Sequence, residues 1–111
     1  MASQTVKKGK LPKRYLRFQQ DYPDVYKAYA QLGGAVQSAG PLDHPTRELV
    51  RLAIAIGMRH EGAVHSHARR ALEAGVKPEA IRHAVLLAVT TMGFPNMMAA
   101  MSWVDDVLQK E

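Results

Sequence analysis

Apolar residues three and four positions apart are the feature that most constrains the fold of this chain. After Asp43 they form an i, i+3, i+4, i+7 stripe made of Leu49, Leu52, Ala53 and Ile56. Residues 50 and 54 add apolar side chains on a second side, so this segment is predicted to be a central helix. No segment alternates as a strand would, and the sequence therefore predicts an all-α fold.

Glycine and proline divide the chain into about six predicted helices. The first covers residues 13–20, and the second runs from Pro23 to the break at Gly40-Pro41. The third (about 46–58) and the fourth (61–74) are predicted to be the central, antiparallel pair. The fifth has one apolar face made of Ile81, Val85, Ala88 and Met92, and the last has one made of Met97, Met101, Val104 and Leu108.

Length and hydropathy predict one domain. With 111 residues the chain can build one ordinary hydrophobic core. Residues 1–10 carry no apolar period and are predicted to be a flexible basic arm, with residues 11–111 forming the single domain. No apolar run is long enough for a membrane span and the N-terminus lacks an apolar signal core, so we expect no membrane partner and a cytoplasmic location.

The net charge of +5 is concentrated at the N-terminus. Six basic residues precede the first acidic one, Asp21, whereas the remainder carries nine basic and ten acidic residues. Such an arm can contact a phosphate backbone, but it has neither interleaved aromatics nor a recognisable groove-reading helix. Nucleic acid is therefore not the expected partner, although a nucleic-acid-binding oligomer is kept as one alternative.

The absence of cysteine excludes a whole class of chemistry. Without a thiol the protein can form no disulfide, no thiolate nucleophile and no thiolate metal site. Any catalysis has to come from other side chains.

Three of the five histidines lie within residues 59–67, between two apolar segments. On a continuous helix His60 and His67 share a face, whereas His65 points away from His67 and pairs with Glu61 at i+4. Glu61 and His65 could supply two metal ligands, but no third is evident in the sequence. A surface ion pair is the commoner outcome, so no metal site is predicted; His60 and His67 could also be structural.

A family resemblance is carried by Glu48, His60, Ala63 and His67, which occupy the frame Glu-x11-Cys-x-x-Cys-x3-His. Residues 69–82 and Gly93-Phe94-Pro95 add similar phrases. Over about residues 42–108 the chain resembles the carboxymuconolactone decarboxylase family, which also contains an alkylhydroperoxidase-D-like redox branch. The resemblance implies an alkylhydroperoxidase-D-like bundle of about six helices that assembles as homo-trimers or homo-hexamers.

The resemblance also implies which residues act. Both cysteine positions of the redox branch are replaced, by His60 and Ala63, so dithiol peroxidase chemistry is impossible. Glu48 and His67 are retained, and the resemblance implies that Glu48 orients His67 as a general acid or base. His60 would be a second proton-transfer group or a carboxylate binder.

The leading prediction is an acid–base enzyme of the decarboxylase type that needs no cofactor or metal and acts on a small organic acid or lactone. Its predicted catalytic residues are His67, Glu48 and His60, and Arg51 and Arg59 are the candidates for binding substrate carboxylates. The alternative is a non-catalytic binding or assembly module that lost the redox cysteines and keeps its histidines for structural reasons.

Overall fold

The computed structural model of the chain describes residues 12–108, and every regular element there is helical. Six helices and one four-residue helical turn, α6, follow one another: α1 Lys13–Asp21, α2 Pro23–Gln37, α3 His44–Gly57, α4 Glu61–Glu73, α5 Pro78–Leu86, α6 Val89–Met92 and α7 Phe94–Leu108. The all-α prediction is confirmed. The predicted basic arm lies outside the described residues. None of the helices between residues 12 and 108 is long and apolar enough to cross a membrane.

Helices α1 and α2 form one compact unit, residues 12–42 of the described chain. Aromatic rings link the two helices: the rings of Tyr15 and Tyr26 meet edge to face with centroids 6.0 Å apart. Neither helix contains a buried residue. Apolar residues recur at helical spacing along α2, yet most of their side chains are exposed, with Tyr29 at 65%.

Residues 43–108 form the second compact unit and contain the hydrophobic core. Helix α3 packs on α4 and α5, and α7 packs on α4, α5 and α6. Each of the longer helices contributes one stripe at helical spacing, as a packed helix must. The core residues are Leu52, Ala55, Ile56, Val64, Ala68, Ala71, Ile81, Val85, Met97, Ala100, Val104 and Leu108.

Helix α3 is less enclosed than its sequence predicts. Leu52 and Ile56 are buried as expected, but the third buried apolar position is Ala55, whereas Ala53 is exposed. Val50 and Ile54, on the second apolar side, are 43% and 57% exposed. The reason is that the neighbouring helices of the core cover only one side of α3.

The predicted fifth helix is divided in two. Its first part, α5, ends at Leu86, and α6 begins at Val89. At the break the N–H of Ala88 bonds to the carbonyl of Val85, an i→i+3 contact that tightens the last turn. The predicted stop at residues 93–95 is confirmed, since Gly93 has φ +93, a left-handed conformation that favours glycine.

Helix α3 begins with a side-chain cap, Asp43. The Thr46 N–H donates to Asp43 Oδ1 at 3.0 Å, and Pro45 occupies the first turn. The side-chain and backbone hydrogen bonds with Thr46 hold the pKa of Asp43 below its ordinary value. This cap sets where α3 starts, about one turn before Glu48.

The turn after α3 is a Schellman motif closed by an arginine. The Arg59 N–H bonds to the Ile56 carbonyl and the His60 N–H to the Ala55 carbonyl, while Arg59 itself has φ +57. The turn after α4 repeats the pattern with Gly75 at φ +93. Arginine therefore occupies a left-handed position that glycine usually takes.

Arg59→Gly is expected to raise the free energy of unfolding by about 0.5–1 kcal/mol, because relief of left-handed strain exceeds the extra entropy of the unfolded glycine. Gly75→Ala is the matched reverse change and is expected to cost about 1–2 kcal/mol. A Cβ at residue 75 would meet no atom within 4 Å, so that loss reports backbone strain alone. Urea unfolding measures both, and a destabilising Arg59→Gly would contradict the assignment.

Candidate functional site

Glu48 and His67 meet between helices α3 and α4. His67 Nδ1 lies 3.2 Å from Glu48 Oε1, and the two residues are 19 positions apart in the sequence. Glu48 is only 3% exposed, and it is buried because it continues the stripe of Leu52 and Ala55 one turn toward the start of α3. A carboxylate at a core position of one helix thus touches an imidazole on the next.

Arg51 contacts the other oxygen of the same carboxylate. Its Nη1 atom donates to Glu48 Oε2 at 3.1 Å. The Arg51 side chain is 27% exposed, whereas that of Glu48 is 4% exposed. A buried carboxylate requires partners of this kind, because burying a charge without a partner costs several kcal/mol of folding free energy. Removing one partner of a buried ion pair destabilises a protein by about 3–5 kcal/mol. Arg51 was predicted to bind substrate; its observed contact is with Glu48.

The geometry assigns different tasks to the two nitrogens of His67. When Glu48 is ionised, the hydrogen bond has to run from His67 Nδ1–H to the carboxylate, since a carboxylate can only accept. The other nitrogen, Nε2, is then available as an acceptor in the neutral ring or as a donor in the imidazolium. The His67 side chain contacts the buried Glu48 and is 21% exposed, so solvent can still reach it.

His60 lies just outside the helix that carries His67. Helix α4 begins at Glu61, and His60 is its N-cap with an extended backbone, φ −105 and ψ 99. The Ala63 N–H donates to His60 Nδ1 at 3.1 Å, which satisfies one of the free donors of the first turn. The shared face was predicted for a helix continuous through His60, and α4 starts one residue after it.

Arg59, the second predicted substrate ligand, is exposed in the turn between α3 and α4. It directly precedes the N-cap residue His60 in the sequence. The left-handed turn described above sets its backbone conformation. Of the predicted site residues, Glu48, His67 and Arg51 form one contact chain.

His65 points away from His67, as the helical period predicts. Its Nε2 atom lies 3.9 Å from Glu61 Oε2 and 2.9 Å from Asp106 Oδ2 on α7. The Glu61 contact is the i, i+4 pair that the sequence indicates. Asp106 was missed, because it is 41 residues away in sequence and its position next to His65 depends on how α7 packs on α4.

Comparison with known proteins matches most of the sequence to one family. The sequence model described as "Carboxymuconolactone decarboxylase family" matches residues 23–106. That match begins at α2, earlier than the resemblance described above. An uncharacterized protein of Haemophilus influenzae is 42% identical over 50 residues, which is 45% of this chain.

The matched stretch covers 44% of the length of that curated relative. No solved structure matches the chain. The family model spans far more than half of the 111 residues and includes both helices of the Glu48–His67 pair. This chain belongs to the carboxymuconolactone decarboxylase family.

Proposed function

We propose that the chain is an acid–base enzyme of this family that acts on a small organic acid or lactone. The observation that carries the proposal is the contact of His67 Nδ1 with the buried Glu48 Oε1 at 3.2 Å. A histidine whose ring is oriented by a buried carboxylate is a common arrangement for proton transfer. With no cysteine in the chain, dithiol chemistry is excluded.

In the proposed reaction His67 transfers one proton through Nε2. The bond between a carboxylate carbon and the adjacent carbon of the substrate breaks, carbon dioxide leaves, and the electron pair is delocalised as a dienolate. The imidazolium Nε2–H then protonates that carbon, and the neutral ring regains a proton from water. Glu48 stabilises the imidazolium and keeps Nδ1–H in place throughout.

The arginines have distinct proposed tasks. Arg51 is a positioning residue, because its contact with Glu48 Oε2 holds the carboxylate from the side opposite His67. Arg59 remains a candidate for binding a substrate carboxylate, since it is exposed and lies in the turn that joins the two site helices. His60 is left out of the proposed catalytic set because its Nδ1 caps α4.

The test is a panel of unsaturated lactone carboxylates, with carbon dioxide release as the readout. We expect turnover by the full chain and a loss of about 10²–10⁴-fold in kcat for His67→Ala. His83→Ala is the matched control, because His83 is an exposed histidine on a different helix, α5, and it should leave kcat unchanged. Circular dichroism of each variant establishes that it folds.

Two results would contradict the proposal. Turnover that survives His67→Ala would remove His67 from the reaction. Absence of turnover across the panel would favour the non-catalytic binding or assembly module, a reading consistent with the structural role of His60 as a helix cap.

We also propose that the chain self-associates. Val50 and Ile54 on α3 and its C-cap residue Met58 recur at i, i+4 and i+8 and are 43%, 57% and 65% exposed. An exposed apolar stripe on a core helix is typical of a surface that pairs with another copy. The size of the assembly, trimer or hexamer, follows only from the family resemblance.

A further inference from the structure

A second polar cluster joins α4 to α7 outside the proposed catalytic pair. Glu61 and His65 lie one turn apart on α4, and Asp106 comes from α7. One ligand atom from each residue lies within 4.8 Å of the other two. We propose that Glu61, His65 and Asp106 bind a divalent transition-metal ion of the Zn²⁺ class.

The distances are close to those that an ion requires. Ligand atoms about 2.0–2.1 Å from a tetrahedral zinc ion lie roughly 3.3 Å from one another. The His65 Nε2 atom is 2.9 Å from Asp106 Oδ2 and 3.9 Å from Glu61 Oε2, so the two distances bracket that value. The carboxylate oxygens of Glu61 and Asp106 lie within 4.8 Å of each other, so rotation of these exposed side chains has to bring them closer to admit the ion.

The donor set specifies the class of ion. With a neutral His65 the cluster carries two negative charges, which a divalent cation neutralises. An imidazole nitrogen favours Zn²⁺, Co²⁺ or Ni²⁺, whereas Mg²⁺ and Ca²⁺ prefer oxygen ligands alone. Three protein ligands at a partly exposed surface leave the fourth position of a tetrahedral site to water.

The helices that carry the three proposed ligands, α4 and α7, pack against each other. Beneath the cluster, α4 and α7 pack through buried side chains, among them Val64, Ala68, Ala100 and Val104. The adjacent carboxylate of α7, Asp105, accepts from Arg82 Nε at 3.0 Å, so the two neighbouring aspartates contact different helices. A bound ion would therefore link α4 to α7 and stabilise their packing.

The competing interpretation is a plain ion pair, because an imidazolium between two carboxylates would satisfy the same distances. A metal-binding measurement distinguishes the ion pair from the metal site, since an ion pair binds no added cation. The proposal does not depend on the acid–base function, because His65 and His67 point to different helices.

The experiment is calorimetric titration of the full chain with Zn²⁺, together with the visible absorption of added Co²⁺. We expect one equivalent of Zn²⁺ to bind, and we expect His65→Ala and Asp106→Asn each to weaken binding by at least about tenfold. His83→Ala and Asp105→Asn are matched controls of the same residue types and should bind as the parent does. Zn²⁺ should also raise the unfolding temperature of the parent but not of Asp106→Asn.

Several outcomes would overturn the site. The parent could fail to bind Zn²⁺ at millimolar concentration, or bind it equally well after His65→Ala. Loss of binding in His67→Gln with full binding in His65→Ala would place the ion at Glu48. Equal affinity for Mg²⁺ would show that the carboxylates alone attract cations. The affected carboxylates and imidazole are at least partly exposed, so these variants should fold, and circular dichroism checks that they do.

Discussion

Glu48→Ala is expected to lower the free energy of unfolding by about 2–3 kcal/mol, the largest effect of any polar substitution in the described chain. The change leaves His67 and Arg51 without the carboxylate that both contact, and it opens a cavity at a core position. The figure lies below the cost for a fully buried pair because these partners are 21% and 27% exposed. Urea unfolding followed by the fluorescence of Trp103 measures the loss.

Glu48→Gln separates charge from packing in the same site. The amide keeps the size of the side chain and one acceptor oxygen, so it should cost roughly half as much as alanine. Glu73→Ala, on the exposed end of α4, is the control and should stay within about 0.5 kcal/mol of the parent. A Glu48→Ala loss no larger than that of Glu73→Ala would mean that the three side chains form no buried network, and the proposed acid–base site would lose its basis.

Ile56→Ala is expected to cost about 3–4 kcal/mol, while Ile54→Ala costs less than about 1 kcal/mol. The two isoleucines lie on the same helix, two positions apart, and are 3% and 57% exposed. The pair isolates burial from residue type and from helix propensity. Equal losses, measured at a protein concentration low enough to exclude self-association, would contradict the assignment of the two sides of α3.

Substitution of the exposed isoleucine, Ile54, also tests self-association at a higher protein concentration. If the exposed side of α3 is an interface between copies, Ile54→Glu should shift the sedimentation coefficient toward the single chain. Circular dichroism should remain that of the parent, because the side chain points away from the core. An unchanged assembly would remove this side of α3 from the interface.

Glu48 and His67 illustrate how far a motif reaches. The frame indicated that both residues belong to one site. The role of Arg51 was harder to predict, because any arginine on a half-exposed helix face can contact either solvent, substrate or a neighbouring carboxylate. His60 was harder to place, because α4 begins at Glu61 as predicted and His60 is its N-cap with an extended backbone, outside the helical period.

The helix bounds and the core stripes could be read from the sequence because they depend on local properties. Proline, glycine and a capping aspartate act within one turn, and the spacing of apolar residues selects the helix over the strand. Thus α3 and α4 begin and end near the predicted residues. Where local properties were ambiguous, as between Leu86 and Val89, the break was missed.

The tertiary structure alone decided which sides of these helices meet. It left Ile54 exposed and Ile56 buried, brought Glu48 to His67 across 19 residues and Asp106 to His65 across 41. These outcomes depend on the packing of helices that are distant along the chain, and the free energy of that packing is a sum over many side chains. The sequence by itself thus determined the helices, the family and the candidate residues, and the packing decided which of those residues touch.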